Sequence, residues 1–109
     1  MTTITASDIE HVLNQWASCK LSESQVHVWA EDRFCTSTYE AAAEAANEVL
    51  ARLDTMNMNL TTSEDIPALI AALNSKDFIS ILAEYDMGIN IEERKLKLRQ
   101  IPLYARFCE

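Results

Sequence analysis

TYEAAAEAANEVLARLDT, residues 38–55, is the stretch on which the fold class turns. Tyr39, Ala42, Ala43, Ala46, Val49, Leu50 and Leu53 recur at helical spacing, which predicts one long helix with an apolar stripe. Its small alanines let a neighbouring helix approach closely, so this helix is the expected centre of the fold. On the outward face Glu40, Glu44 and Glu48 fall at i, i+4 and i+8. Each like-charge pair at that spacing costs a helix about 0.2–0.5 kcal/mol, and only Arg52 offers relief at the far end. Glu31 and Asp32 extend the row if this helix and the one before it pack antiparallel. Such a face serves either as a solvated surface or as a docking surface for a cationic partner.

Outward from this stretch, capping signals precede further apolar runs. Ser7 to Glu10, Ser22 to Gln25, Ser37 to Glu40, Thr61 to Glu64 and Asn90 to Glu93 each pair a cap residue with an acidic or amide residue three positions on. After the first, Ile9, Val12, Leu13 and Trp16 form a helical stripe over about Asp8 to Ser18. Leu21 and Val26 flank the second cap as a hydrophobic staple, with Trp29 and Ala30 also facing inward. The polar run Asn57 to Glu64 reads as a surface loop. Pro67 then sits in the first turn of a fourth helix, where a missing N–H does least harm, and Ile66, Leu69, Ile70 and Leu73 give its stripe.

A fifth helix, from about Lys76 to Met87, carries Phe78, Ile79, Leu82 and Tyr85 and meets the chain's one glycine, Gly88, where a left-handed terminal residue is expected. A sixth, Ile91 to Gln100, is opposed by the alternation of Lys95-Leu96-Lys97-Leu98, which equally suits an extended segment. Pro102 ends it, and Leu103, Tyr104, Phe107 and Cys108 are expected to pack back on the body. No other stretch reads as a strand. The expectation is an all-α protein: a compact single-domain bundle of five to six helices spanning residues 1–109.

The charge is lopsided. The chain has 17 acidic and 9 basic residues and a net charge of −8. Of the acids only Glu109 lies beyond position 93, whereas Arg94, Lys95, Lys97, Arg99 and Arg106 all do. An acidic body repels nucleic acid and anionic membrane and steers cationic proteins toward itself. The C-terminal basic run is expected to pair with Glu92 and Glu93 and to complement a helix C-terminus rather than to bind nucleic acid. No run of about 18 apolar residues is present, and the N-terminal MTTITASDIE lacks the basic and apolar regions of a signal peptide. Cys19, Cys35 and Cys108 are odd in number and without CxxC spacing, which suits a reducing, cytoplasmic compartment.

No catalytic motif stands out. His11, Cys19, His27 and Cys35 recur every eight residues, but zinc sites draw paired ligands from one turn or one helix face, so no metal is expected. A thiolate–imidazole pair of Cys35 with His27 lacks a third group to orient it. One glycine cannot build a phosphate-binding loop. The chain is therefore expected not to be an enzyme and to need no cofactor.

The run Trp16 to Glu31, WASCKLSESQVHVWAE, and the ending PLYARFC, Pro102 to Cys108, resemble segments of the small acidic helical immunity proteins of bacterial contact-dependent growth inhibition and related toxin systems. The resemblance covers about a third of the chain and carries no catalytic motif. It implies a cytosolic protein that binds and neutralises one basic toxin domain, such as a nuclease. Joined to the charge pattern, it makes Glu31, Asp32, Glu40, Glu44 and Glu48 the expected partner-binding residues. The alternative is a helical adaptor that holds its partner in an apolar groove formed by residues such as Met56, Met58, Ile89 or Tyr104.

Overall fold

The computed structural model of the chain describes residues 2–35, 39–41 and 43–108. The order is β1 (Thr2–Ile4), α1 (Ala6–Ala17), α2 (Glu23–Cys35), β2 (Tyr39–Ala41), α3 (Glu44–Asp54), α4 (Met56–Asn59), a 3₁₀ turn (Ser63–Asp65), α5 (Ile66–Leu73), α6 (Phe78–Met87), α7 (Ile91–Leu98) and α8 (Pro102–Ala105). The protein is all-α in class, with eight α-helices among the described residues instead of five or six. The additions, α4 and α8, are single turns.

The core is set by the stripes of α1, α2, α3 and α5. Ile9, Leu13, Val26, Val49, Leu50, Leu53 and Leu69 are fully buried, and Met56 and Tyr104 join them from the two short helices. α3 packs against α1, α2 and α5, as its alanine-rich face predicts. His27 Nδ1 lies 3.3 Å from the Leu53 carbonyl oxygen, which sets the second turn of α2 beside the last turn of α3. The C-terminal segment folds back as expected, with Tyr104 and Cys108 buried.

The largest departure from the expected helices lies within residues 38–55. The cap at Ser37, the helix start at Thr38 and Ala42 fall outside the described residues, but Tyr39, Glu40 and Ala41 form β2, not helix. They pair in parallel with Thr2, Thr3 and Ile4. A β-branched run at the N-terminus offers its backbone to this segment, and α1 and α2 together supply the long crossover that parallel strands require. Tertiary pairing thus overrides the helix propensity of the alanines. α3 begins only at Glu44, after an extended Ala43 that provides no side-chain cap.

Several caps sit beside their expected places. Thr5, extended at the end of β1, accepts from the Asp8 amide while the Asp8 carboxylate accepts from the Thr5 amide, so α1 starts before Ser7. Thr62 and Asp65 replace Thr61 and Glu64: the Thr62 hydroxyl accepts from the Glu64 amide and the Asp65 carboxylate accepts from the Thr62 amide. The boxes at Ser22 and Gln25 and the cap at Asn90 form where predicted. Lys95 to Leu98 is helical within α7. Pro102 opens α8 at its first turn.

The polar run 57–64 is no surface loop. Met56 to Asn59 are helical, and Leu60, Thr61 and Thr62 are buried. Gly88 is right-handed, with φ −86°. Two helix ends among the described residues are instead followed by a left-handed non-glycine residue, Cys19 at φ 63° after α1 and Leu60 at φ 59° after α4. That conformation costs a non-glycine residue about 1–2 kcal/mol. At Leu60 it is offset by the buried side chain and by the carbonyl, which accepts a 3.0 Å hydrogen bond from Arg94.

Candidate functional site

Polar chemistry concentrates where α3, α5, α6 and α7 converge. Asp65, at the end of the 3₁₀ turn, accepts two hydrogen bonds from the Arg94 guanidinium of α7, at 2.5 and 2.8 Å. It also accepts one from the Tyr85 hydroxyl of α6 at 2.6 Å and one from the Thr62 amide at 2.9 Å. The Asp65 and Arg94 side chains are 8% and 10% exposed. Burial alone would raise the Asp65 carboxyl, but Arg94, Tyr85 and the Thr62 amide together hold it below the ordinary carboxylate range. Burial, and then the hydrogen bond to Asp65, pushes the Tyr85 hydroxyl up. Beside this network the Tyr104 hydroxyl donates to the Thr61 carbonyl at 2.6 Å, and burial raises the Tyr104 hydroxyl.

A second arginine pair lies nearer the surface. Arg52, in the last turn of α3, donates to both carboxylate oxygens of Asp86 on α6, at 3.0 and 2.6 Å. The hydrogen bonds to Asp86 dominate the upward shift of Arg52, and the Glu48 charge adds a smaller part. The buried Arg52 Nε has no hydrogen-bond partner among the described residues.

α3 and α6 both pack on α5, and a groove runs between them. One end is a hollow of about 470 Å³ bordered by Glu48, Arg52, Asp86 and the Asp65–Arg94–Tyr85 network. Sharing Glu48 with it is a second of about 500 Å³, lined by Ala43, Glu44, Asn47, Glu48, Phe78 and Ile79. A third, of about 530 Å³, continues past Glu44 and Phe78 to the α5–α6 turn at Ser75 and Lys76. One wall therefore carries carboxylates from α3, and the other carries Phe78 and Ile79 from α6. Ile79 is 69% exposed.

Glu44 and Glu48 stand exposed one turn apart, as the sequence predicts. Glu40 is not on α3: its backbone lies in β2, opposite Thr3. Glu31 and Asp32 are exposed near the end of α2 and line none of the three hollows. Glu31 lies 3.6 Å from His27 Nε2, and Asp32 lies 3.5 Å from Arg33 Nη1. The apolar set of the adaptor reading separates: Met56 and Tyr104 are core, Met58 is exposed and Ile89 is half-buried. Among the described residues no group of three or more His, Cys, Asp or Glu side chains could hold a metal ion. Among them, too, no helix is long and apolar enough to cross a membrane.

The residues that organise the site, Asp65, Tyr85 and Arg94, were not singled out by composition. Arg94 sits in a basic run whose lysines do meet acidic side chains, Lys95 with Glu92 at 3.8 Å and Lys97 with Glu93 at 3.6 Å and Glu64 at 3.8 Å. The available signal was its phase: Arg94 and Leu98, four residues apart, are the two buried positions of α7. Comparison of the chain with protein-family models, with curated proteins and with solved structures finds no match in any of the three.

Proposed function

We propose that this protein is a binding protein for a basic partner, an immunity-type inhibitor of a cationic toxin domain such as a nuclease, and that the partner docks on the α3 edge of the groove. The observation that carries this reading is the position of Arg52. The cation that should relieve the acidic face of α3 is bonded at both nitrogens of its fork to Asp86. Glu44 and Glu48 are left as an exposed, repulsive pair on a rigid helix. Carboxylates fixed in this way cost stability in the free protein and gain attraction when a cationic surface arrives, which favours fast, salt-sensitive association. Glu31 and Asp32 add to the field that steers the partner, while contact falls to Glu44 and Glu48.

The adaptor alternative draws less support, because Met56 and Tyr104 lie in the core and leave no broad apolar patch built on them. The test is affinity capture from the native cells at low and high salt, with wild type, Glu44→Gln/Glu48→Gln and Glu44→Lys/Glu48→Lys side by side. A basic partner held at low salt, released by high salt and lost from the lysine variant is the expected result. Retention of the same partner by the lysine variant would remove α3 from the interface.

A further inference from the structure

We infer that the groove between α3 and α6 takes an amphipathic helix of the partner, with two of its cations one turn apart against Glu44 and Glu48 and an apolar side chain between Phe78 and Ile79. This rests on the preceding reading and adds the form of the occupant. Both guanidinium groups of the groove are already matched, Arg52 by Asp86 and Arg94 by Asp65. Lys76 lines the far hollow with Glu44 but makes no ion pair with it among the described residues, so the carboxylates that the α3 wall offers to a partner are Glu44 and Glu48, four residues and about 6 Å apart on the helix axis. Lysine or arginine at i and i+4 of a second helix matches that spacing. Across the groove the wall changes character: Phe78 is partly buried and Ile79 is 69% exposed. A purely electrostatic face has no use for an isoleucine left in water beside its carboxylates, whereas a helix with one apolar and one cationic edge covers both walls.

An extended segment fits less well. Its backbone N–H and C=O groups would be buried between the side chains of α3 and α6, two helices that offer no strand edge to receive them. A helix brings its backbone hydrogen bonds with it.

The probe is a fluorescein-labelled helical peptide of about 15 residues, with lysine at i and i+4 and leucine at i+3. It is titrated into the full chain by anisotropy at two salt concentrations, and its footprint is mapped by amide chemical shifts. Saturable binding with shifts confined to residues 43–52 and 78–86 is expected. Ile79→Ser, at an exposed position that should leave the fold unchanged by circular dichroism, should weaken binding about tenfold and keep its salt dependence. Glu44→Gln/Glu48→Gln should flatten the salt dependence. No saturable binding, a footprint spread over other acidic surface, or equal binding of a peptide with glutamate in place of lysine overturns the inference. A silent Ile79→Ser with a strong effect of the glutamine pair removes the helix in the groove and leaves the acidic docking face. Silence of both variants, together with capture of a partner by Glu44→Lys/Glu48→Lys, removes both.

Discussion

Two arginines meet carboxylates within one groove, and they hold the molecule in different ways. Arg94 and Asp65 are both about nine-tenths buried, and every oxygen of the carboxylate is bonded. Arg52 and Asp86 are also joined by two hydrogen bonds, but their side chains are 25% and 44% exposed, and Arg52 Nε finds no partner among the described residues. Water competes for the second pair and is nearly excluded from the first. The inner pair joins the 3₁₀ turn to α6 and α7, so its loss would leave an unmatched charge in the interior. The outer pair joins α3 to α6 across the groove, and Asp86 offsets the positive charge that Arg52 presents to Glu48.

The sharpest way to break this comparison is Arg94→Met. It leaves Asp65 buried without its counter-charge, which typically costs about 3–5 kcal/mol and is a large share of the roughly 5–15 kcal/mol that holds a domain of this size. Urea unfolding should show a much lower midpoint. Replacing the Asp65 carboxylate as well, in Asp65→Asn/Arg94→Met, should recover part of the loss, because no bare charge remains.

Acid probes the same pair without mutation. The folded pKa of Asp65 lies below its unfolded value of about 3.8, so its contribution is complete above that value and is lost as pH falls through the folded pKa. Stability measured from pH 7 down to pH 2 should therefore drop below about pH 4, and the drop should be smaller in the Asp65→Asn/Arg94→Met variant. An unchanged acid limb in that variant would assign the drop to other carboxylates.

The outer pair should yield much less. Arg52→Ala is expected to cost about 0.2–1 kcal/mol, the range of exposed ion pairs, with high salt narrowing the difference from wild type. Lys97→Ala should change stability by less still. Lys97 reaches Glu64 and Glu93 only at 3.8 and 3.6 Å, with all three side chains more than half exposed. A cost for Arg52→Ala close to that of Arg94→Met would mean that burial is not what separates the two arginines.

Much of this architecture was legible without coordinates. The stripes of α1, α2 and α5, the caps at Ser22 and Asn90, Pro67 in the first turn of α5 and the folded-back C-terminus all follow from local chemistry repeated at helical period. The exposed pair Glu44 and Glu48 was legible for the same reason. Glu40 was not. The alanines around it favour a helix, and a strand there becomes preferable only when Thr2 to Ile4, far away in sequence, supply hydrogen bonds. Nor was the interior of residues 60–65. A run of asparagine, threonine and acid looks like a loop until Arg94, Tyr85 and Tyr104 arrive to bond it.

By itself, then, the sequence determined the helical class, most helix positions, the acidic balance of the body and the facing of Glu44 and Glu48, because each is set by neighbours within a turn or two. Only the tertiary structure decided which charges are matched. Arg94 and Arg52 look alike in a linear chain, and what separates them is how much water remains once distant segments have closed around each. The groove along α3 has the same origin. Its acidic wall is written in one helix, but its apolar wall and its unbalanced charge exist only because α6 lies across from it and Asp86 has taken Arg52.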